Sequence, residues 1–172
     1  MKRILITTIA LTMIAAAALA HEGGGGRGNE GYGDDAIVAS NGTIFITSST
    51  IDTGTRTSTT TIKAISTSGA VMWTATLTNA GRLELSGSNL IATNSTSASD
   101  GTVSTTLTAI STSSGSVAWT RTLNGRVTSL EPFSAGTYAI VVVPATTSGG
   151  SATRSLVAIG NDGSVLWTVS LT

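Results

Sequence analysis

The chain contains no cysteine. This absence excludes disulfides, thiolate zinc sites, covalently attached haem and thiol catalysis. Histidine occurs once, at His21, so no Ser–His–Asp centre can be assembled within the sequence that follows it. Lysine occurs only at Lys2 and Lys63, and nine basic residues balance nine acidic ones. Nucleic acid is therefore not expected as a partner, because phosphate binding needs clustered basic side chains.

Proline and aromatic residues are also scarce, with two prolines and 4% aromatics. Threonine and serine are abundant instead, and no amphipathic helical pattern follows residue 20. Threonine is β-branched and suits a pleated surface, while Ser, Gly, Asn and Asp are turn residues. The composition predicts an all-β protein with neutral polar faces.

Residues 1–20 have the pattern of a secretory signal peptide. Lys2 and Arg3 precede an apolar run that ends in Ala18-Leu19-Ala20, a small-x-small cleavage signal. The alternative is a membrane anchor, but the run is at the short limit of about 17 residues for a span. We expect cleavage after Ala20, a secreted or periplasmic location and no membrane span in the mature protein.

A glycine-rich segment, residues 21–35, follows and is interpreted as a flexible tether. His21 would then be the mature N-terminus and could offer its amine and imidazole to copper. A redox site of that kind needs a second histidine, which the chain lacks. We expect no metal or other cofactor.

Three phrases repeat along the rest of the chain. They are SGAVMWTATL at 68–77, SGSVAWTRTL at 114–123 and DGSVLWTVSL at 162–171. Each phrase contains a glycine four residues before a tryptophan. Each phrase also follows an alanine, and this alanine lies 22 residues after an earlier glycine, which is Gly42, Gly87 or Gly136. The repeated residues are Gly69, Gly115, Gly163, Trp73, Trp119, Trp167, Ala64, Ala109 and Ala158. A fixed period of this length indicates a repeat architecture.

Each repeat contains four short segments with strand patterning, and the last of them places Val117, Trp119, Arg121 and Leu123 on one face by period-2 alternation. The glycines at 69, 115 and 163 fit a tight turn between the third and fourth strands. A four-stranded unit of about 40–50 residues is typical of a β-propeller blade. The sequence predicts a propeller-like array of three four-stranded antiparallel blades at about 36–79, 80–125 and 126–172. A β-sandwich is the alternative, although it need not repeat at a fixed period.

The middle repeat resembles the pyrroloquinoline-quinone-type propeller repeat, with the pattern A-x-D-x-x-T-G-x-x-x-W. Ala109, Gly115 and Trp119 match its Ala, Gly and Trp, whereas Ser111 and Ser114 replace its Asp and Thr. The resemblance implies that each tryptophan packs against the neighbouring blade. Enzymes of this family hold a quinone with charged and amide groups, calcium and often paired cysteines. This chain lacks the cysteines and any carboxylate cluster near the blade centres, so we expect a non-enzymatic member.

Three blades do not close a ring, because propellers have roughly four to eight. We expect either a homo-oligomer that completes the ring or an open domain whose ends are covered otherwise. The expected function is binding or scaffolding through protein–protein contacts, with an unidentified protein partner. A partial quinone-dependent dehydrogenase and a self-assembling surface protein are the alternatives. A sugar-binding platform would require exposed, coplanar tryptophan rings.

Loops carry much of protein function, and the hairpins at 48–60, 94–105 and 145–153 differ most among the repeats. We expect the contact surface there. The side chains in or near these hairpins that can make strong polar contacts are Arg56, Arg126, Arg154 and Tyr138.

Overall fold

In the computed structural model, residues 36–145 and 149–171 are described, and they form strands joined by turns. The expected signal peptide and tether lie outside the described residues. The twelve strands are β1 (Ala36–Val38), β2 (Ile44–Asp52), β3 (Thr57–Ile65), β4 (Val71–Thr78), β5 (Leu83–Ser86), β6 (Asn89–Ser97), β7 (Val103–Ser111), β8 (Val117–Asn124), β9 (Arg126–Phe133), β10 (Gly136–Val143), β11 (Thr153–Gly160) and β12 (Val165–Ser170).

The strands form three four-stranded antiparallel sheets in simple meander order, which confirms the predicted fold class. Sheet 1 contains β1–β4, sheet 2 contains β5–β8 and sheet 3 contains β9–β12. Each sheet is therefore built from one continuous stretch of chain, as hairpin connections require. Among the described residues, no helix is long and apolar enough to cross a membrane.

The core consists of two apolar layers between successive sheets. The layer between sheets 1 and 2 contains Phe45, Ile62, Ala64, Leu90 and Ile110. The layer between sheets 2 and 3 contains nine buried residues: Ile91, Leu107, Ala109, Leu123, Leu130, Ala139, Val141, Val157 and Ile159. Sheet 2 is thus covered on both faces. Sheets 1 and 3 each have one face that no other described element covers.

Each sheet pairs its repeated alanine with its repeated tryptophan. Ala64 lies opposite Trp73, Ala109 opposite Trp119 and Ala158 opposite Trp167, and all three alanines are fully buried. Directly opposite side chains on one face are close neighbours in an antiparallel pair, so the small alanine leaves room for the indole. This pairing explains why both residues recur in each repeat.

A β-bulge follows each of these alanines, between Ala109 and Ile110 in sheet 2 and at the same place in sheets 1 and 3. The bulge pairs Val117 with Ile110, which faces sheet 1, whereas Trp119 pairs with Ala109, which faces sheet 3. The prediction that Val117 shares a face with Trp119 is therefore wrong. An extra residue in a bulge shifts the alternation of side chains by one position.

Aspartates brace one turn in each sheet. Asp162 accepts hydrogen bonds from the Ser164 hydroxyl at 2.6 Å and from the Ser164 amide at 3.0 Å. Asp100 accepts the same pair of bonds from Thr102, and Asp52 accepts amide bonds from Gly54 and Thr55. These bonds favour the ionised form and hold the pKa of all three carboxyl groups below its usual value.

A lowered pKa in the folded state means that the unfolded chain binds more protons in acid, so stability rises with pH in that range. The contribution of these carboxylates is complete above the unfolded pKa of about 3.9 and is lost as pH falls through the lower folded values. We expect the thermal midpoint, followed by circular dichroism, to be level from neutral pH to about 5 and to fall below about 4. Asp162→Asn should reduce this slope. An identical slope in the variant would contradict the assignment of Asp162.

Candidate functional site: tryptophans and glycine turns at the sheet faces

Trp73 in β4 of sheet 1 packs on the β7–β8 turn of sheet 2. Its indole Nε1 donates a hydrogen bond to the carbonyl oxygen of Thr112 at 2.9 Å. A Cβ on Gly115 would lie 2.6 Å from the indole ring, so the ring sits directly against a glycine backbone with φ of +72°. A side chain there would meet both a steric and a conformational penalty.

Trp119 in β8 of sheet 2 repeats this arrangement on the β11–β12 turn of sheet 3. Its Nε1 donates to the carbonyl oxygen of Asn161 at 2.8 Å, and a Cβ on Gly163 would lie 2.7 Å from the ring. Arg121 adds a bond from its Nε to the carbonyl oxygen of Gly163 at 2.8 Å. Both sheet interfaces are therefore closed by the same contact between a tryptophan and a glycine turn.

Trp167 in β12 of sheet 3 has no following sheet in the described chain, and it is 43% exposed. Tyr138 lies beside it, with ring centroids 5.6 Å apart and an interplanar angle of 43°. Phe45 stands beside Trp73 in almost the same way, at 5.7 Å and 34°. Trp167 is thus held in a pose close to that of Trp73, but with its outer side open.

We call the side of a sheet that faces the next sheet along the chain its trailing face, and the opposite side its leading face. Strand register assigns nine apolar residues to the trailing face of sheet 3, because paired residues share a face. They are Phe133, Tyr138, Ile140, Val142, Leu156, Ala158, Trp167, Val169 and Leu171. Several residues at the equivalent positions of sheets 1 and 2 are buried, including Phe45, Ile62 and Leu107. This face is the candidate functional site.

The aromatic residues of this face do not form a flat platform. Phe133 and Tyr138 stack on one another, with centroids 4.2 Å apart and an interplanar angle of 10°, and Trp167 is tilted against Tyr138. A sugar platform of coplanar tryptophans is also contradicted by Trp73 and Trp119, which are half-buried between sheets.

The residues predicted for the contact surface lie in two places. Arg56 is exposed in the β2–β3 turn of sheet 1, at a φ of +56°. Arg126 and Arg154 both lie opposite Val142 in sheet 3, on the strands to either side of it. Tyr138 lies on the trailing face of the same sheet, so the structure brings three of the four residues to sheet 3. The 145–153 hairpin lies partly outside the described residues.

Two small clefts lie between the sheets. One, of about 250 Å³, is lined by residues of sheets 1 and 2 that include Phe45 and Met72, and the other by residues of sheets 2 and 3 that include Val141 and Val157. Neither is lined by an ionisable side chain. Within the described ranges, no three His, Asp or Glu side chains come together in a group that could hold a metal ion.

The sequence patterns did not predict that Phe133 and Tyr138 stack on one another. Both residues lie before the third repeated phrase. Tyr138 was selected there as a polar contact residue and not as part of an apolar face. The signal available was register: Tyr138 pairs with Ala158 as Phe45 pairs with Ala64. That register could not be read directly, because the loops between the paired strands differ in length.

The family comparison agrees with this geometry. A family model described as outer membrane protein assembly factor BamB matches residues 58–172, from β3 to the end of the chain. No curated protein shows a match to the chain. The matched region includes all three tryptophans and the three repeated glycine turns, two of which receive a tryptophan at a sheet interface. The chain therefore belongs to the family of the outer membrane protein assembly factor BamB, which has the pyrroloquinoline-quinone type of β-propeller repeat.

Proposed function

We propose that the protein is a non-catalytic binding or scaffolding protein of the periplasm or the cell exterior, and that it acts through protein–protein contacts. The family description, which refers to the assembly of outer membrane proteins, supports a location in the cell envelope. The signal-peptide pattern of residues 1–20 supports export in the same way.

The observation that carries the proposal is the apolar trailing face of sheet 3. Val169, on the outer strand β12 of this face, is 50% exposed and lies two residues from Trp167. Trp167 contacts Tyr138, which stacks on Phe133 further across the sheet. Contiguous apolar surface of this kind is uncommon on monomeric proteins and marks interaction sites. Tyrosine and tryptophan are also the side chains that contribute most at protein interfaces, since they combine a large apolar area with a polar group.

The binding part of this proposal can be tested with Val169→Glu. A carboxylate at this position of the face should remain hydrated and prevent burial, whereas folding should be little affected because Val169 is half-exposed. We expect cross-linking in the native envelope fraction to recover protein partners at least about tenfold less efficiently with Val169→Glu than with the wild type. The control is Ile51→Glu, which adds the same charge at a 46% exposed aliphatic residue of sheet 1. Equal recovery with both variants would contradict binding through this face.

The non-catalytic part can be tested by adding pyrroloquinoline quinone and calcium to the purified protein. We expect no change in quinone absorbance and no reduction of an artificial electron acceptor with alcohol or sugar substrates. The expectation rests on the missing cysteines and on the absence of ionisable side chains around the two clefts. Stoichiometric quinone binding with substrate-dependent reduction would support the alternative of a quinone-dependent dehydrogenase.

A further inference from the structure

We propose that the partner bound by the trailing face of sheet 3 is the leading face of sheet 1 in a second copy of the chain, and that two chains close a ring of six sheets. The proposal rests on the proposed function, since it names the partner of the same face. It assigns a specific contact: Trp167 of one copy packs on the β3–β4 turn at Gly69 of the other.

The Gly69 turn is an unoccupied copy of the two turns that receive a tryptophan. Its φ is +81°, as at Gly163, and a Cβ placed there would meet no atom of the described residues within 4 Å. Gly115 and Gly163 have the same left-handed backbone but carry an indole ring against them. Thr67 lies two residues before Gly69, as Asn161 lies two residues before Gly163. Its carbonyl oxygen is therefore the counterpart of the Asn161 oxygen that accepts the Trp119 hydrogen bond. Among residues 36–145 and 149–171, one tryptophan therefore has no turn to pack on and one turn carries no tryptophan.

The leading face of sheet 1 is also exposed where the corresponding faces of sheets 2 and 3 are covered. Register places Val38, Ile44, Ile46 and Ile65 on this face. Ile46 is 38% exposed and Val38 is 61% exposed. The equivalent positions of sheet 2 are occupied by Leu90, Ala92 and Ile110. These three residues are buried on the face of sheet 2 that meets sheet 1.

The two open faces are thus the two halves of an interface that the chain already makes twice within itself. A contact between unlike faces generates a closed ring when the rotation per step permits it. Propellers contain roughly four to eight blades, and six is the only multiple of three in that range. Two copies of the three described sheets supply these six blades.

The contact would cover Lys63 on the leading face of sheet 1. The trailing face of sheet 3 offers the carboxylate of Glu131, opposite Tyr138, and also contains Arg126 and Arg154, both opposite Val142. A lysine side chain can lie along an apolar surface while its ammonium group stays hydrated. Lys63 is therefore compatible with the contact.

Two variants that each disable one face provide the test. Val169→Glu disables the trailing face and Ile46→Glu the leading face, and both residues are at least 38% exposed in a single chain. We expect the dissociation constant of the dimer, measured by analytical ultracentrifugation, to rise by at least about 100-fold in each variant, because each added carboxylate must lose its hydration in an apolar contact. Lys63, opposite residue 46, can pair with the carboxylate of Ile46→Glu only if its own ammonium group is also desolvated. Ile51→Glu, on the same strand as Ile46 but on the opposite face, should leave it unchanged. Circular dichroism checks that all three variants remain folded.

A mixture of the two disabled variants separates this proposal from a symmetric dimer. Each variant keeps the face that the other has lost, so an equimolar mixture should regain one contact and form an open heterodimer. A dimer made by two trailing faces would instead persist in Ile46→Glu alone and gain nothing from mixing. That result, or filaments in electron microscopy, would overturn the closed six-sheet ring.

Failure of this proposal can be distinguished from failure of the proposed function. A wild-type protein that is monomeric but still cross-links other envelope proteins through Val169 overturns the pairing of copies and leaves the binding function standing. A monomer that cross-links nothing through this face overturns both.

Discussion

Trp119→Ala is expected to destabilise the folded domain by about 3 kcal/mol, within the usual range for removing a packed tryptophan. The variant loses the contact with the Gly163 turn and leaves a cavity between sheets 2 and 3. It also removes the donor to the Asn161 carbonyl oxygen at 2.8 Å. The measurement is the free energy of unfolding from denaturant titration, at a protein concentration low enough to keep the chain monomeric.

The matched control for this substitution is Trp167→Ala, the same residue in the same repeated phrase. Trp167 is half-exposed and closes no interface within the chain. Its removal should therefore cost the monomer only about 1 kcal/mol, mainly from lost contact with Tyr138 and Ala158. Equal losses in the two variants would contradict the assignment of Trp119 as the residue that joins two sheets.

Gly163→Ala is expected to destabilise the domain by about 2–4 kcal/mol. One part is the cost of placing alanine at a φ of +81°, about 1 kcal/mol. The larger part arises because the new Cβ would lie 2.7 Å from the Trp119 ring, which is held against the turn by its hydrogen bond. Overpacking of this kind typically costs about 1–3 kcal/mol.

Gly69→Ala provides the control that separates the steric part of that loss from the conformational part. Its φ is also +81°, but the space around its Cβ is open in a single chain. The variant should lose only the conformational part, about 1 kcal/mol, when unfolding of the monomer is measured. The difference between the two glycine variants then measures the steric penalty from the Trp119 ring. If the two losses are the same, the ring does not pack tightly against the Gly163 turn.

The repeated phrase was sufficient to predict the fold class. Turn glycines, period-2 alternation and a tryptophan at a fixed place indicated four-stranded units, and the three meander sheets confirm them. These features are local, because each sheet is made from one continuous stretch of chain. Local patterns are the part of a structure that a single sequence expresses most directly.

The register between strands was less accessible. The constant spacing of 22 residues from Gly42, Gly87 and Gly136 to the repeated alanines suggested equivalent positions. The residues that pair with those alanines are instead Phe45, Ile91 and Tyr138, which lie three, four and two residues after the glycines. Differences in the turns before and after β2, β6 and β10 cancel in the total length. The same difficulty concealed the bulge that moves Val117 to the other face.

The candidate site could be predicted only in part for the same reason. The tryptophans and glycines were identified as structural residues, but a sequence does not state which of three equivalent tryptophans has no turn to pack on. That asymmetry depends on the position of each sheet in the array. Trp167 is distinguished by being in the last of the three described sheets, and Gly69 by being in the first.

The mass of the purified wild-type protein in solution, measured by light scattering over a range of concentrations, tests the pairing of two chains most directly. We expect a particle with twice the mass of one chain, because two copies supply the six sheets of a closed ring. A particle with the mass of a single chain at every concentration would contradict the pairing of the Trp167 face with the Gly69 turn.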